Sequence, residues 1–141
     1  YTRSANIGMQ LSGACFVILL NSDTIVTKNW AIKMLQVAMS HPSIGIVGPI
    51  SNAASWQSLP YVIDKMGRMV VNSLPQGKSI DDMNVLCETY GYIGEFVRVP
   101  VVNGFCYGIK REVINRIGYL DEIAFPKGYG EEDDYSLRAC D

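Results

Sequence analysis

Two separated groups of acidic residues are the first candidates for chemistry in this sequence of 141 residues. Asp23 follows a short apolar run, and four successive carboxylates occupy residues 131–134. Carboxylate oxygens bind Mg²⁺ or Mn²⁺, and these ions in turn bind phosphate oxygens. A carboxylate that is held beside a hydroxyl group can also remove its proton as a general base. Metal binding and proton transfer are therefore the chemistries that these residue types would support.

Each acidic group also has a structural interpretation. Short polar side chains such as Asp23 often cap the turn into a following helix. Acids in the first turn of a helix are favoured by its dipole by about 0.3–1 kcal/mol each, so residues 131–134 also fit a solvated helix start. Asp134 lies four residues before Arg138, a spacing that supports a structural ion pair. Four acids in succession exceed what the dipole offsets, and residues 131–132 have no local cation.

Asn103 and Gly104 interrupt an apolar segment and form a third candidate feature. An ordinary turn explains this dipeptide. A close approach of the backbone to a ligand also explains it, because glycine leaves room that a side chain would fill. The sequence by itself leaves both explanations open.

The composition argues against several classes of protein and site. Twelve Lys and Arg against fourteen Asp and Glu give a net charge of -2, which argues against binding to nucleic acid or to an anionic membrane face. The longest apolar run, residues 14–20, is far shorter than the roughly 20 residues of a membrane-spanning helix. A single histidine, His41, argues against His-based metal sites. Two of four cysteines lie in apolar runs, so we expect buried free thiols in a reducing compartment.

Apolar patterning predicts the elements that position these residues. Strands and helices alternate, a pattern typical of a mostly parallel sheet covered by helices. Strands are predicted at residues 13–20, 44–50, 96–102 and 105–109. Helices are predicted at residues 27–40, from the cap Ser79 onward, at residues 111–117 and from residue 131, with a short helix near residues 62–70 in a long loop. Asp23 would then lie beyond the carboxyl end of a strand, where ligands bind in such sheets.

Several segments occur in an order that is typical of one enzyme family. They read VILLNSDT at residues 17–24, HP and IGIVGP at residues 41–49, VNGFC at residues 102–106 and GEEDDYSLR at residues 130–138. Together they resemble glycosyltransferase family 2. The first segment is similar to the family's metal-binding D-x-D strand end, with Asn21 in place of the first acid. The last segment is similar to its E-D-x-[DE]-x-x-x-R motif.

The resemblance implies a fold as well as residue roles. It implies an α/β fold of the GT-A type, a Rossmann-like nucleotide-diphospho-sugar transferase fold with a mostly parallel central sheet and flanking helices. Residues 1–141 would form a single partial catalytic domain, incomplete at its N-terminus, because the family's base-binding first strand has no counterpart here. Asp23 would hold Mg²⁺ or Mn²⁺ on the donor diphosphate, and Glu132 falls where the family places its base. The family commonly has Asp at that position, so Asp133 competes for the role. The remaining matched positions are the substrate-binding residues Asn21, Asn103, Gly104, Glu131, Asp134 and Arg138.

The implied function is metal-assisted, inverting transfer of a sugar from a nucleoside-diphosphate sugar to a hydroxyl acceptor, as in polysaccharide biosynthesis by hexosyltransferase-like enzymes. The acceptor would be a glycan, a lipid-linked saccharide or a protein. We expect a cytoplasmic protein without nucleic-acid partners, which reaches the cytoplasmic face of a membrane through parts outside this chain. Two alternatives remain: a nucleotidyltransferase of similar fold, and a non-catalytic carbohydrate-binding or scaffold domain derived from such an enzyme.

Overall fold

The computed structural model describes residues 1–91 and 96–140. Residues 92–95 and the last residue are outside these ranges. The described elements are, in chain order, α1 Thr2–Leu11, β1 Phe16–Leu20, α2 Trp30–Ser40, β2 Ile46–Val47, α3 Ile80–Tyr90, β3 Cys106–Lys110, α4 Arg111–Ile117 and α5 Glu131–Cys140. None of the helices within these ranges has the length and apolarity needed to cross a membrane.

The three strands form one sheet in the order β1-β3-β2. The central strand β3 is antiparallel to both neighbours, with Gly108 opposite Ile18 on one side and Ile109 opposite Ile46 on the other. β1 and β2 therefore run in the same direction, but they are not hydrogen bonded to each other. The strand that separates them comes last in the chain.

The predicted fold class, an α/β GT-A fold with a mostly parallel central sheet, is wrong. Both strand ladders of the described residues are antiparallel. β1 and β2, which are separated by α2, do run in the same direction, but β3 runs in the opposite direction and is inserted between them. The predicted strand at residues 96–102 is irregular, and Val102 there donates its N–H to the Ser136 hydroxyl on α5 (3.3 Å). The predicted short helix near residues 62–70 is also absent, and a β-bridge joins Ile63 to Met69.

Side chains of β3 alternate between two apolar clusters, as a strand buried on both faces requires. Tyr107 and Ile109 pack with Met9 of α1, Ile114 of α4 and Tyr135 of α5. On the opposite face, the other cluster consists of Cys106, Val47 and the α2 residues Met34 and Ala38. Helices thus cover both faces of the sheet, as expected. A Cβ at Gly108 would lie 2.4 Å from Phe16 Cζ, so the second face has room for that aromatic ring only because this position is glycine.

The local signals for three helices are confirmed. Ser79 and Asp82 form a capping box at the start of α3. α4 has the predicted bounds and ends at Gly118, where a φ of 80° favours glycine. α2 begins at Trp30, three residues later than predicted. All four cysteines are free, and Cys106 is buried as expected, whereas Cys15 is exposed and the prediction of its burial is wrong.

The sequence analysis missed α1, which packs beside α5 and the loop that precedes it. Its buried positions are Thr2, Asn6 and Met9, so a helical spacing is present but two of the three residues are polar. Asn6 exchanges two hydrogen bonds with the backbone of Leu120, at 2.9 and 3.1 Å. At the end of α1, Arg111 donates to three carbonyl oxygens, those of Met9, Ser12 and Ala14.

Candidate functional site

The end of β1 forms one wall of an open cleft of about 450 Å³. The Asn21 N–H donates to the carbonyl oxygen of Phe105 (2.9 Å), which continues the contact between β1 and β3 beyond the strand ends. Asp23 is exposed and faces this cleft. The residues that line the cleft are Tyr1, Leu20, Asn21, Ser22 and Asp23.

The Asn103–Gly104 turn lies between the strand end and α5. Its Asn103 side chain accepts the N–H of Phe105 (3.2 Å), so the turn is closed by its own residue. The Asn103 N–H donates to Oε1 of buried Gln57 (2.6 Å), and Gln57 Nε2 donates to the carbonyl of Pro49 (2.7 Å). Gln57 was missed in the sequence because it belongs to a loop without periodic patterning, and no local signal marks it as buried.

Glu132 connects this turn to the start of α5. Its Oε1 accepts the N–H of Gly104 and its Oε2 accepts the N–H of Gly130, both at 3.3 Å. A Cβ at Gly104 would lie 3.0 Å from Glu132 Oε1, so the close approach of the backbone depends on glycine. The Asn-Gly dipeptide thus forms a turn, and the Glu132 carboxylate closely approaches its backbone. A substrate-binding role for Asn103 and Gly104 stays a prediction.

The neighbouring acids have different surroundings. Glu131 is 5% exposed, and within the described residues its buried Oε2 has no hydrogen-bond partner. Burial raises the pKa of the Glu131 carboxyl, and the nearby charge of Glu132 raises it further. The pKa of Asp133 is also raised, first by partial desolvation and then by Glu132. The helix start therefore contains carboxyls whose proton affinities are above the ordinary values.

Asp134 and Arg138 form the structural pair that their spacing predicts, with Arg138 Nε 2.8 Å from Asp134 Oδ2. The Arg138 guanidinium also donates to the carbonyls of Ile117 and Tyr119, each at 3.1 Å, and lies 4.9 Å from the centre of the Tyr135 ring. These contacts fasten α5 to the end of α4. A substrate-binding role for the pair stays a prediction.

Tyr1 is a second residue that the sequence analysis missed, and it lies beside both acidic groups. It lines the cleft with Asp23, and its pKa is raised by burial and then by the charges of Glu131 and Glu132. The structure therefore brings together the strand end, the Asn103–Gly104 turn and the start of α5. These three segments are far apart in the sequence.

The oxygen donors at the strand end fit a hard divalent ion better than a structural zinc ion. Across residues 1–91 and 96–140, no group of three His, Cys, Asp or Glu side chains is close enough to hold a metal. Zinc sites normally need three or four such ligands. Mg²⁺ takes only one or two carboxylates and completes its shell with water and substrate phosphates. Asp23, with the Asn21 amide and the Ser22 hydroxyl beside it, suits an ion that binds together with a diphosphate.

Comparison of the chain with models of known families, with curated proteins and with solved structures gives no match.

Proposed function

We propose that this chain carries the site of a metal-assisted, inverting glycosyltransferase that uses a nucleoside-diphosphate sugar. The observation that carries the proposal is a pair of hydrogen bonds that connect the two acidic groups through residues 104–105. Asn21 at the strand end is hydrogen bonded to Phe105, and Gly104 next to it is hydrogen bonded to Glu132. A metal carboxylate and a base that act on the same substrates are what sugar transfer requires.

Asp23 and the residues beside it form the donor side of the proposed site. Asp23 would hold Mg²⁺ or Mn²⁺, which supplies charge neutralisation for the leaving diphosphate when bound. The Asn21 backbone is hydrogen bonded to Phe105, directly before β3, which fixes the strand end where Asn21 lines the cleft. Exposure of Asp23 leaves its carboxylate accessible to an incoming donor.

Glu132 is the proposed base that removes the proton of the acceptor hydroxyl. Two backbone N–H groups orient its carboxylate. A fixed orientation of this kind lowers the cost of bringing the base to the reacting hydroxyl. Asp133, the next residue, is the alternative base, since partial desolvation raises its pKa towards the range in which a carboxylate accepts protons more readily.

The loop before α5 has the geometry of a cover for the site. Three successive residues, Gly128, Tyr129 and Gly130, have positive φ values of 93°, 68° and 111°, and Tyr129 is 94% exposed. A bulky residue with positive φ is strained, and such strain is concentrated at functional sites. We assign to this loop the role of excluding water from the site, because water would otherwise compete with the acceptor.

The proposed partners are a nucleotide-sugar donor and a saccharide or lipid-linked acceptor. We place the reaction in the cytoplasm, because free cysteines are typical of a reducing compartment.

The test is incubation of the full-length protein with UDP-glucose, UDP-N-acetylglucosamine, UDP-galactose and GDP-mannose in the presence of Mn²⁺. Release of nucleoside diphosphate that stops when EDTA removes the metal supports the proposal. Binding of UDP or GDP is measured in parallel by calorimetry with and without Mn²⁺. Absence of both release and metal-dependent binding contradicts it. Formation of pyrophosphate from a nucleoside triphosphate and a sugar phosphate would instead identify a nucleotidyltransferase.

A further inference from the structure

A small recess of about 90 Å³ lies beside Asn103, and it shares no lining residue with the Asp23 cleft. Three separate segments form it: the loop after β2, the turn and the start of α5. Its lining consists of Ser55, Trp56, Gln57, Val101, Asn103 and Asp133. The recess therefore combines an indole ring with a carboxylate, amides and a hydroxyl.

The indole of Trp56 is 65% exposed at this recess. Leaving so large an apolar surface in water is unfavourable, and an aromatic ring beside polar groups is a common feature of binding sites. The face of an aromatic ring carries partial negative charge, and it attracts C–H groups with partial positive charge. A pyranose ring has such a C–H face and has hydroxyl groups around its rim.

The polar wall of the recess is held in place by the protein. Buried Gln57 accepts the N–H of Asn103 at 2.6 Å, and Asn103 Nδ2 donates to the hydroxyl of Ser55 at 3.4 Å. Asp133 projects from the first turn of α5 into the same recess. Groups that are already oriented lose less entropy when they bind a ligand.

The volume limits what the recess can take. Pockets that enclose drug-sized ligands measure about 300–1,000 Å³, so a recess of this size accommodates part of one sugar ring and leaves the rest of a saccharide in solvent. Asn103 lines the recess while the adjacent Gly104 binds Glu132. Asp133 likewise follows Glu132 directly. A ring in the recess would therefore contact Asn103 and Asp133, each of which is next in sequence to a residue of the Gly104–Glu132 hydrogen bond.

We infer that this recess binds a terminal pyranose ring of a saccharide acceptor, with the C–H face against Trp56 and hydroxyl groups on Asp133 and Asn103. The inference rests on the proposed function, and it selects a saccharide over a protein as the acceptor. Asp133 is then an acceptor-binding residue, and Glu132 alone is the base.

The direct test uses saccharide binding without nucleotide or metal. Methyl β-glucopyranoside, cellobiose, maltose and chitobiose are titrated into the full-length protein, and binding is measured by saturation-transfer NMR. Trp56→Ala should weaken the strongest of these by about tenfold or more, whereas Trp56→Phe keeps an aromatic face and most of the affinity. Tyr61→Ala is the matched control, since Tyr61 lies in the same loop with 66% exposure but does not line the recess.

Failure to bind any of the four saccharides, or equal binding by wild type and Trp56→Ala, overturns the inference. Nucleotide-sugar cleavage is measured separately, so a failure of the acceptor site is distinguished from a failure of the proposed function. In transfer assays with a saccharide acceptor, Asp133→Asn should raise the acceptor KM by about tenfold with kcat within about twofold of wild type. A fall in kcat of about a hundredfold would make Asp133 the base and contradict its assignment to acceptor binding.

Discussion

The two acidic groups of the molecule differ in how far the protein itself organises them. At the strand end, Asp23 is exposed beside an open cleft. At the start of α5, Glu131 is buried, and two backbone N–H groups hold the Glu132 carboxylate. Burial and hydrogen bonds therefore organise the carboxylates at the start of α5, whereas the Asp23 carboxylate stays accessible to a ligand that enters the cleft.

Under the proposed function, this difference would match the two tasks in sugar transfer. A general base must be within hydrogen-bond reach of its proton, so its orientation has to be fixed in advance. A divalent ion that arrives with a diphosphate brings most of its ligands with it and needs few from the protein. We therefore expect substitutions at the helix start to act through orientation and charge, and substitutions at the strand end to act through metal and donor binding.

Removal of the charge at the helix start should have the largest effect. Glu132→Gln retains one acceptor oxygen for the backbone N–H groups but cannot take up the proton of the acceptor. We expect kcat for transfer to fall by about 10²–10⁴-fold, the usual contribution of a general base. Steady-state transfer assays measure this change. Glu112→Gln, an exposed substitution on α4, is the control and should leave kcat unchanged. Near-normal kcat in Glu132→Gln would exclude Glu132 as the base.

At the strand end, Asp23→Asn should lower metal-dependent transfer by about 100-fold, because the amide keeps an oxygen ligand but loses the negative charge. Stability should change little, since the side chain is exposed. The thermal stabilisation by Mn²⁺ and UDP or GDP, measured by scanning fluorimetry, should disappear. Asp81→Asn, the same change at an exposed position on α3, should retain it. Equal stabilisation of both variants would argue against a metal site at Asp23.

The contact between the turn and the base can be disturbed without removing any charge. Gly104→Ala places a Cβ 3.0 Å from Glu132 Oε1, so the carboxylate must shift by a few tenths of an ångström. We expect kcat to fall by about tenfold through misorientation of the base, with little change in nucleotide binding. Gly13→Ala is the control, because a Cβ there meets nothing within 4 Å. A parallel loss of nucleotide binding would show that the substitution disturbs the cleft as well.

The smallest expected effect concerns buried Glu131 and is a change of stability with pH. Burial raises the pKa of Glu131 above its ordinary value of 4.5, so its protonated form is favoured in the fold. The stability that this group contributes is therefore present below the unfolded pKa and is lost as the pH rises through the folded pKa. Glu131→Gln should raise Tm near neutral pH by about 3 °C.

The measurement is a series of thermal unfolding curves of wild type and Glu131→Gln from acidic to neutral pH. The difference in Tm should shrink as the pH falls below the ordinary pKa of glutamate, since both proteins are then neutral at this position. A Tm difference that stays constant with pH would mean that Glu131 is not destabilised by its charge.

Most strands and helices that position the site residues could be predicted, because the sequence signals for them are local. The apolar run before Asn21, the exact bounds of α4 and the Ser79 cap depend only on neighbouring residues. The acidic run was also correctly expected to start a helix. These features therefore agree with the structure.

The sheet order and the contacts between segments were not predictable in the same way. The insertion of β3 between β1 and β2 depends on long-range pairing, and periodicity within one segment carries no information on its neighbours. Gln57 and Tyr1 reach the site only through tertiary contacts. The connection of Gly104 to Glu132 was missed for the same reason, although both residues were selected as site residues from the sequence.

Helix α1 connects the cleft to the contacts that Arg111 makes near the start of β1. Its ten residues span about 15 Å, with Tyr1 at the cleft end and the Arg111 contacts at the other. A tilt of about 10° around the Arg111 end would move Tyr1 by roughly 3 Å relative to Asp23. The Arg111 contacts lie near the start of β1, whereas the cleft lies at its end, so we expect a substitution at Arg111 to change the position of Tyr1 beside Asp23 from the opposite end of the strand.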